Sequence, residues 1–246
     1  MAPRQTRAMS VSRETVDATV RRFDVPDPAL TSATVQALLD ALVAEPDPPT
    51  TIRKPAQALD AHIADSLAGL EVPQLRAAKR IVDLGAGAGF PGLALAAALP
   101  DAHVDLVEST RRKCEVIERL ATAAGLGART TALAVRAEDL AREGGSASYD
   151  AATARALASL PVICEYAAPL LRVGGVLVAW KGTRAADEEA AGEIAASELG
   201  LGRPQVLAVS PFPGTKSRHL YVYYKISPTP PQYPRRTGLA AKRPIA

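Results

Sequence analysis

The sequence predicts an α/β protein: a mostly parallel seven-stranded sheet with an antiparallel C-terminal edge, preceded by a helical N-terminal extension. Three observations carry this. Short apolar runs alternate with helix-period segments from Arg80 to Leu199, the pattern of parallel strands joined by helical crossovers. The last two strand-like runs, Gln205–Val209 and His219–Lys225, have only a Pro/Gly/Ser turn between them, so they belong to an antiparallel edge. Before Arg80 the apolar residues recur at helix spacing.

From Ser10 to about Leu70, Leu30, Val35, Leu38, Leu39 and Leu42 form one helical stripe, and Ala56, Leu59, Ile63 and Leu67 another. Pro46-Asp47-Pro48-Pro49 separates them, because no helix interior tolerates that run. Ile81–Leu84 and His103–Val107 read as buried strands, each followed by a helix, Pro91–Leu99 and Arg111–Ala124. Further strands are expected at Thr130–Val135, Asp150–Thr153 and Val176–Trp180, and helices near Leu160–Leu171 and Asp187–Leu199. Past Ser227 the composition turns to Pro, Arg, Lys and Gly, so the chain is expected to leave the fold as a tail. The organisation is therefore an extension over 1–70, a main domain over 71–226 and a basic, Pro-rich tail over 227–246.

Composition narrows the class. At 246 residues, 48% hydrophobic and 22% charged, the chain is an ordinary globule with a sizeable core. Its longest apolar run, Leu93–Leu99, falls far short of the roughly 20 residues of a membrane helix, and no signal-peptide core is visible, so a cytoplasmic location without membrane association is expected. Cys114 and Cys164 lack metal-type spacing and read as buried free thiols, with no metal site expected. The net charge of +3 divides unevenly. Residues 1–22 hold five arginines against Glu14 and Asp17, and residues 225–246 hold Lys225, Arg235, Arg236, Lys242 and Arg243 with no acid. An acidic body thus carries two basic ends, which read either as solvated tails or as contacts for a polyanion.

The strongest local motif is Val82-Asp83-Leu84-Gly85-Ala86-Gly87-Ala88-Gly89-Phe90-Pro91-Gly92: a strand, alternate glycines, and a proline suited to a helix start. Glycines let a ligand approach the backbone, and the helix N-terminus supplies unpaired N–H groups. Glu108 ends the next strand 23 positions after Gly85, where a carboxylate grips ribose hydroxyls. A nucleoside cofactor at the carboxyl ends of these strands follows. A dinucleotide turn would place its third glycine at Phe90, which argues against an NAD-dependent oxidoreductase. The frame Gly85, Gly87, Gly89 with Asp83 before it resembles the first motif of S-adenosylmethionine-dependent methyltransferases. There Asp83 would lie near the amino-acid end of the cofactor, through water or backbone groups.

A more extended resemblance covers roughly residues 50–246. His62-Ile63-Ala64-Asp65-Ser66-Leu67, the glycine turn through Phe90-Pro91-Gly92, Arg136-Ala137-Glu138-Asp139, Ala154-Arg155-Ala156, Lys181-Gly182, Arg218-His219-Leu220-Tyr221 and Tyr233-Pro234-Arg235-Arg236 occur in one order. The set resembles the bacterial small-subunit ribosomal RNA methyltransferase G family, also called glucose-inhibited division protein B. The resemblance implies a Rossmann-like class I fold that transfers a methyl group from S-adenosyl-L-methionine, leaving S-adenosyl-L-homocysteine. The acceptor it implies is N7 of one guanine, of the guanine-527 type in the decoding region of 16S rRNA. It places cofactor contacts on Gly85, Phe90, Ala137, Glu138 and Arg155, and the residues themselves add Asp83, Gly87, Gly89 and Glu108. Glu138, or its neighbouring backbone, would accept from an adenine amino group; alone it also reads as a solvated helix-start acid. Where many members carry Asn-Leu-Thr, this chain has Pro48-Pro49-Thr50-Thr51-Ile52-Arg53, a departure expected to affect the substrate side and not the cofactor motifs.

Guanine N7 has an in-plane lone pair and no proton to lose, so no catalytic acid or base is nominated; alignment does the work. His62 and Asp65 also read as residues that pack their helix on the sheet. Methylation leaves the base cationic, so Lys181 and Arg218, with Arg235 and Arg236 of the tail, are expected on phosphates, guanine O6 or the cofactor carboxylate. Arg218 reads equally as a residue that blunts a sheet edge. Aromatics are 4% of the chain, and Tyr221 and Tyr223 share one strand face, so recognition rests on shape and phosphate charge rather than stacking. The partner is 16S rRNA or the small ribosomal subunit, with a monomer favoured. The competing class is a non-enzymatic RNA-binding or assembly protein on a vestigial methyltransferase fold.

Overall fold

The structure, a computed structural model, describes residues 10–52 and 54–246. Arg4, Arg7 and Arg53 of the expectations above lie outside these residues. Two helices open the fold, α1 (Arg13–Val20) and α2 (Pro28–Ala44). The side chain of Asp27 accepts the Leu30 N–H at 3.0 Å and Pro28 fills the first turn, so α2 starts where its unpaired donors are capped. It ends before the proline run. A wound segment follows: α3 (Pro55–Ala58), a π-turn over Leu59–Ala64, α4 (Asp65–Leu67), a 3-10 turn over Ala68–Glu71, and α5 (Pro73–Arg76).

The sheet then builds as β1 (Arg80–Leu84), α6 (Gly92–Ala98), β2 (His103–Val107), α7 (Arg111–Ala123), β3 (Thr130–Leu133), α8 (Ala137–Leu140), β4 (Tyr149–Arg155), α9 (Leu160–Ala167), β5 (Leu171–Lys181), α10 (Ala186–Glu198), β6 (Gln205–Ala208) and β7 (His219–Tyr224). Strand order is β3-β2-β1-β4-β5-β7-β6. The first five run parallel, β7 runs antiparallel to β5, and β6 antiparallel to β7. This is the mixed sheet the pattern predicts. Ile81 joins one apolar layer with α2, α6 and α7, while Val82 and Leu84 join the other with α9 and α10. The N-terminal helices are thus part of the first layer and not an independent domain, with Val35, Leu38, Leu39 and Leu42 fully buried in it. Tyr221 and Tyr223 are core, as their alternation implies, and both cysteines are buried and free.

Two elements differ from expectation. Helix α9 stops at Ala167 instead of Leu171, because Pro169 has no N–H to continue it, and β5 begins four residues later with a bulged first turn. The C-terminal segment does not leave the fold. It closes with α11 (Leu239–Lys242), buries Ala240 and Ile245, and sets the Arg235 guanidinium on Glu165, a carboxylate with no exposed surface. Its prolines and arginines read as a solvated tail only while these distant partners are out of view.

Candidate functional site

The carboxyl ends of β1, β2 and β4 open into one cleft. The turn after β1 carries Gly85, Gly87 and Gly89, all at positive φ. Gly87 faces the cleft, and a Cβ there would find its first neighbour only at 3.8 Å, so the backbone itself is the floor. A Cβ on Gly89 would meet Leu93 at 2.5 Å; this glycine lets α6 close against the turn and does not line the cleft. Asp83 also stands behind the cleft. It has no exposed surface, and its two oxygens accept from the Gly92 N–H at 2.9 Å and the Thr153 hydroxyl at 2.8 Å. The expected cofactor contacts at Asp83 and Gly89 are therefore corrected: both residues brace the turn.

Gly85 and Glu108 line the cleft together with Leu84, Ser109, Ala137, Glu138, Leu157 and Tyr166 on the adenosine side. One oxygen of Glu108 accepts the Thr110 N–H at 2.9 Å and the other lies 3.6 Å from the Lys113 ammonium, which fixes the carboxylate at the end of β2. Glu138 is 2% exposed, so it is not the solvated helix-start acid; one oxygen accepts the Gly238 N–H at 2.8 Å. Phe90 lines the middle of the cleft with Gly87, and its ring stacks on His62 at 4.8 Å between centroids. Pro49 and Thr50 line that same stretch. The divergent Pro48–Ile52 segment does reach the cofactor motifs, contrary to expectation, because the chain folds back across the turn.

A second pocket, about 390 Å³, adjoins the first past β4 and β5. His62, Arg155 and Ala156 line both. Asp65, 4% exposed at its side chain, accepts from Arg155 at 2.9 Å and from Arg218 at 3.0 Å, while Arg155 also donates to the Ala61 carbonyl at 2.8 Å. Trp180 donates to the Asp65 carbonyl at 2.8 Å. The π-turn over Leu59–Ala64 presents His62 and Asp65 to this junction. Lys181 lines the pocket but donates to Glu188 at 2.5 Å and to the Ala158 carbonyl at 3.1 Å, so its charge is compensated inside the protein. Arg235 is likewise committed to Glu165. Both weaken as phosphate ligands, whereas Arg236 is exposed and Arg218 is more than a third exposed.

Burial first, and then the Arg155 guanidinium, push His62 down to about 4. The ring is therefore neutral near pH 7. Arg155 lies 3.4 Å from Nδ1 and Thr50 Oγ1 3.0 Å from Nε2, which assigns the proton to Nε2 and the lone pair toward Arg155. Burial drives Asp83 the other way, up to about 6, against its two hydrogen bonds. The signs oppose. His62 resists protonation in the fold, so its contribution is lost as pH falls from 6.5 toward 4. Asp83 takes its proton early, so its contribution is lost as pH rises through about 6. The stability advantage of the parent over His62→Asn should accordingly shrink by up to about 3 kcal/mol between pH 7 and pH 4; Asp83 is present in both and cancels. Urea titrations at the two pH values check this, and an advantage that grows on acidification contradicts it.

Among residues not nominated from sequence, Thr50, Leu157, Trp180 and Ala241 line these pockets. Pocket position alone distinguishes them, since none is a residue type that signals chemistry. Among the described residues no cluster of three metal-ligating side chains occurs, and no helix is long and apolar enough to cross a membrane.

A glycine floor, a fixed acid ending the second strand and a buried acid at the third loop together suit S-adenosylmethionine. Residues Gly85, Gly87, Phe90, Glu108 and Glu138 are the ones that would hold it. Solved structures agree on the fold. An O-methyltransferase from Streptomyces achromogenes in complex with S-adenosylmethionine is 22% identical at a TM-score of 0.52, covering 88% of this chain and 100% of that one. An O-methyltransferase from Bacillus cereus in complex with S-adenosylhomocysteine is 19% identical at 0.54, with the same coverage. The protein is a Rossmann-like class I methyltransferase that uses S-adenosylmethionine. Its sequence matches the family profile of rRNA small subunit methyltransferase G over residues 49–220. Relatives with that name include one from Rubrobacter xylanophilus, 43% identical over 197 residues (78% of this chain, 75% of the relative), and one from Deinococcus radiodurans, 42% identical over 188 residues (75% and 73%). The chain belongs to the rRNA small subunit methyltransferase G family.

Proposed function

We propose that the protein methylates N7 of a single guanine in 16S rRNA, of the decoding-region type that the family resemblance implies. The observation that carries the reading is the wall shared by the two pockets. His62, Arg155 and Ala156 separate a nucleoside-sized cleft from a second pocket ringed by cations, so a base in the second faces a cofactor in the first. S-adenosylmethionine supplies an electrophilic methyl group when bound. The residues of the chain then align the acceptor: Arg155 and Asp65 fix the wall, and the half-exposed Arg218 is placed to donate to guanine O6 or a flanking phosphate. N7 loses no proton on attack, so His62 is required as a neutral wall and not as a base. Compensated cations suit an acceptor that becomes positively charged, because Asp65 and Glu188 hold the local charge down. A base in a loop or swung out of its stack reaches the pocket.

Two experiments test this. Arg218→Ala should weaken 16S rRNA binding about tenfold and reduce its salt slope by about one phosphate contact, leaving S-adenosylhomocysteine affinity within about twofold. Lys181→Ala should do less, because its ammonium is already paired. Loss of cofactor affinity with RNA affinity intact contradicts the assignment. Separately, 16S rRNA transcribed with 7-deazaguanosine should accept no labelled methyl group, while the ordinary transcript does. Equal labelling of both overturns N7 as the acceptor.

A further inference from the structure

We infer that the C-terminal segment, residues 233–246, is part of the cofactor site: it holds the Glu138 carboxylate for recognition of the adenine and closes the pocket beside it. The inference rests on the reading of Glu138 as the adenine contact. Ala241 of α11 lines the adenosine side of the cleft directly, next to Ala137, Glu138 and Tyr166. The Gly238 N–H donates to Glu138 Oε1 at 2.8 Å. Among the described residues Oε2 has no hydrogen-bond partner, so it is the acceptor available to a ligand.

The segment is anchored from both sides. Arg235 grips Glu165 of α9 through Nε at 2.9 Å and its terminal nitrogen at 2.5 Å. Arg142 donates to the Arg235 carbonyl at 2.5 Å and to Thr237 Oγ1 at 3.1 Å, and Thr237 donates to Asp139 at 2.5 Å. Asp139 and Glu138 belong to the same short helix, so the segment straps α8 to α9. A four-residue helix has little stability of its own, and a carboxylate on it keeps its rotamer only where a donor fixes one oxygen. Gly238 supplies that donor. The fixed carboxylate accepts from a 6-amino purine and repels a 6-oxo purine, whose oxygen is itself an acceptor.

The probes are S-adenosylhomocysteine and S-inosylhomocysteine, which differ only at that position, titrated by calorimetry. The parent protein should prefer the adenine compound by about tenfold or more, the worth of one hydrogen bond to a charged group. A chain ending at Gln232, and Arg235→Ala in the full-length chain, should each lose most of that preference. They should do so by weakening the adenine compound while the inosine compound stays within about twofold. Arg235→Lys should recover part of it. If the truncated chain fails to fold, Arg235→Ala decides alone, with circular dichroism confirming its fold. Parent-like preference in a folded truncated chain, or equal loss for both compounds, overturns the inference. Glu138→Gln separates the two layers. If it abolishes the preference while Arg235→Ala keeps it, the adenine reading stands and the role of the segment falls. If the parent shows no preference, both fall.

Discussion

Asp65→Ala is expected to destabilise the protein by about 3–5 kcal/mol, the range for removing one member of a buried ion cluster. The cost comes from what stays behind. Arg155 is 15% exposed at its side chain and loses its carboxylate at the junction of the two pockets, while Arg218, at 39%, regains water more easily. The lower half of the range is therefore expected. Methyl transfer should fall further than stability alone explains, because the freed guanidiniums lie against an acceptor that turns cationic. Asp65→Asn keeps one acceptor and should fall between parent and alanine in urea denaturation. An Asp65→Ala protein with parent-like midpoint and turnover would remove the bridge from the account.

Glu108→Ala is expected to weaken S-adenosylhomocysteine binding by about a hundredfold, since two charge-assisted hydrogen bonds to ribose hydroxyls are lost. The protein should otherwise remain close to parent stability, because the single local bond replaced is that of the Thr110 N–H. Calorimetry with the full-length chain reads the affinity, and a melt without ligand reads the fold. A loss below about threefold would move the ribose away from the end of β2.

Much of the fold is legible in the chain because it depends on local pattern. Ile81–Leu84 and His103–Val107 are apolar runs that can only be buried strands, and the helix-free ending sets the antiparallel edge. The glycine turn and Glu108 are legible for the same reason, since backbone geometry restricts which residues serve. What stays hidden are partnerships across long separations. Arg235 finds Glu165 at 70 positions and Gly238 finds Glu138 at 100, so a segment that reads as a basic tail becomes a wall of the cleft. Asp83 and Gly89 illustrate a second limit. Residues in a binding motif include those that shape the turn from behind, and spacing does not separate them from residues that touch the ligand. The Pro48–Ile52 stretch shows a third, because proline-rich loops carry no periodicity from which their return path over the turn follows.

The central claim is that the cleft at the strand ends and the pocket beside it form one active site for a guanine of 16S rRNA. The direct test is transfer of a labelled methyl group from S-adenosylmethionine to 16S rRNA, offered both as naked transcript and as small subunits, with the product mapped by nuclease digestion and mass spectrometry. The account predicts one N7-methylguanine at one position, in at least one of the two forms. No transfer to either, or label on another atom or on many bases, contradicts it.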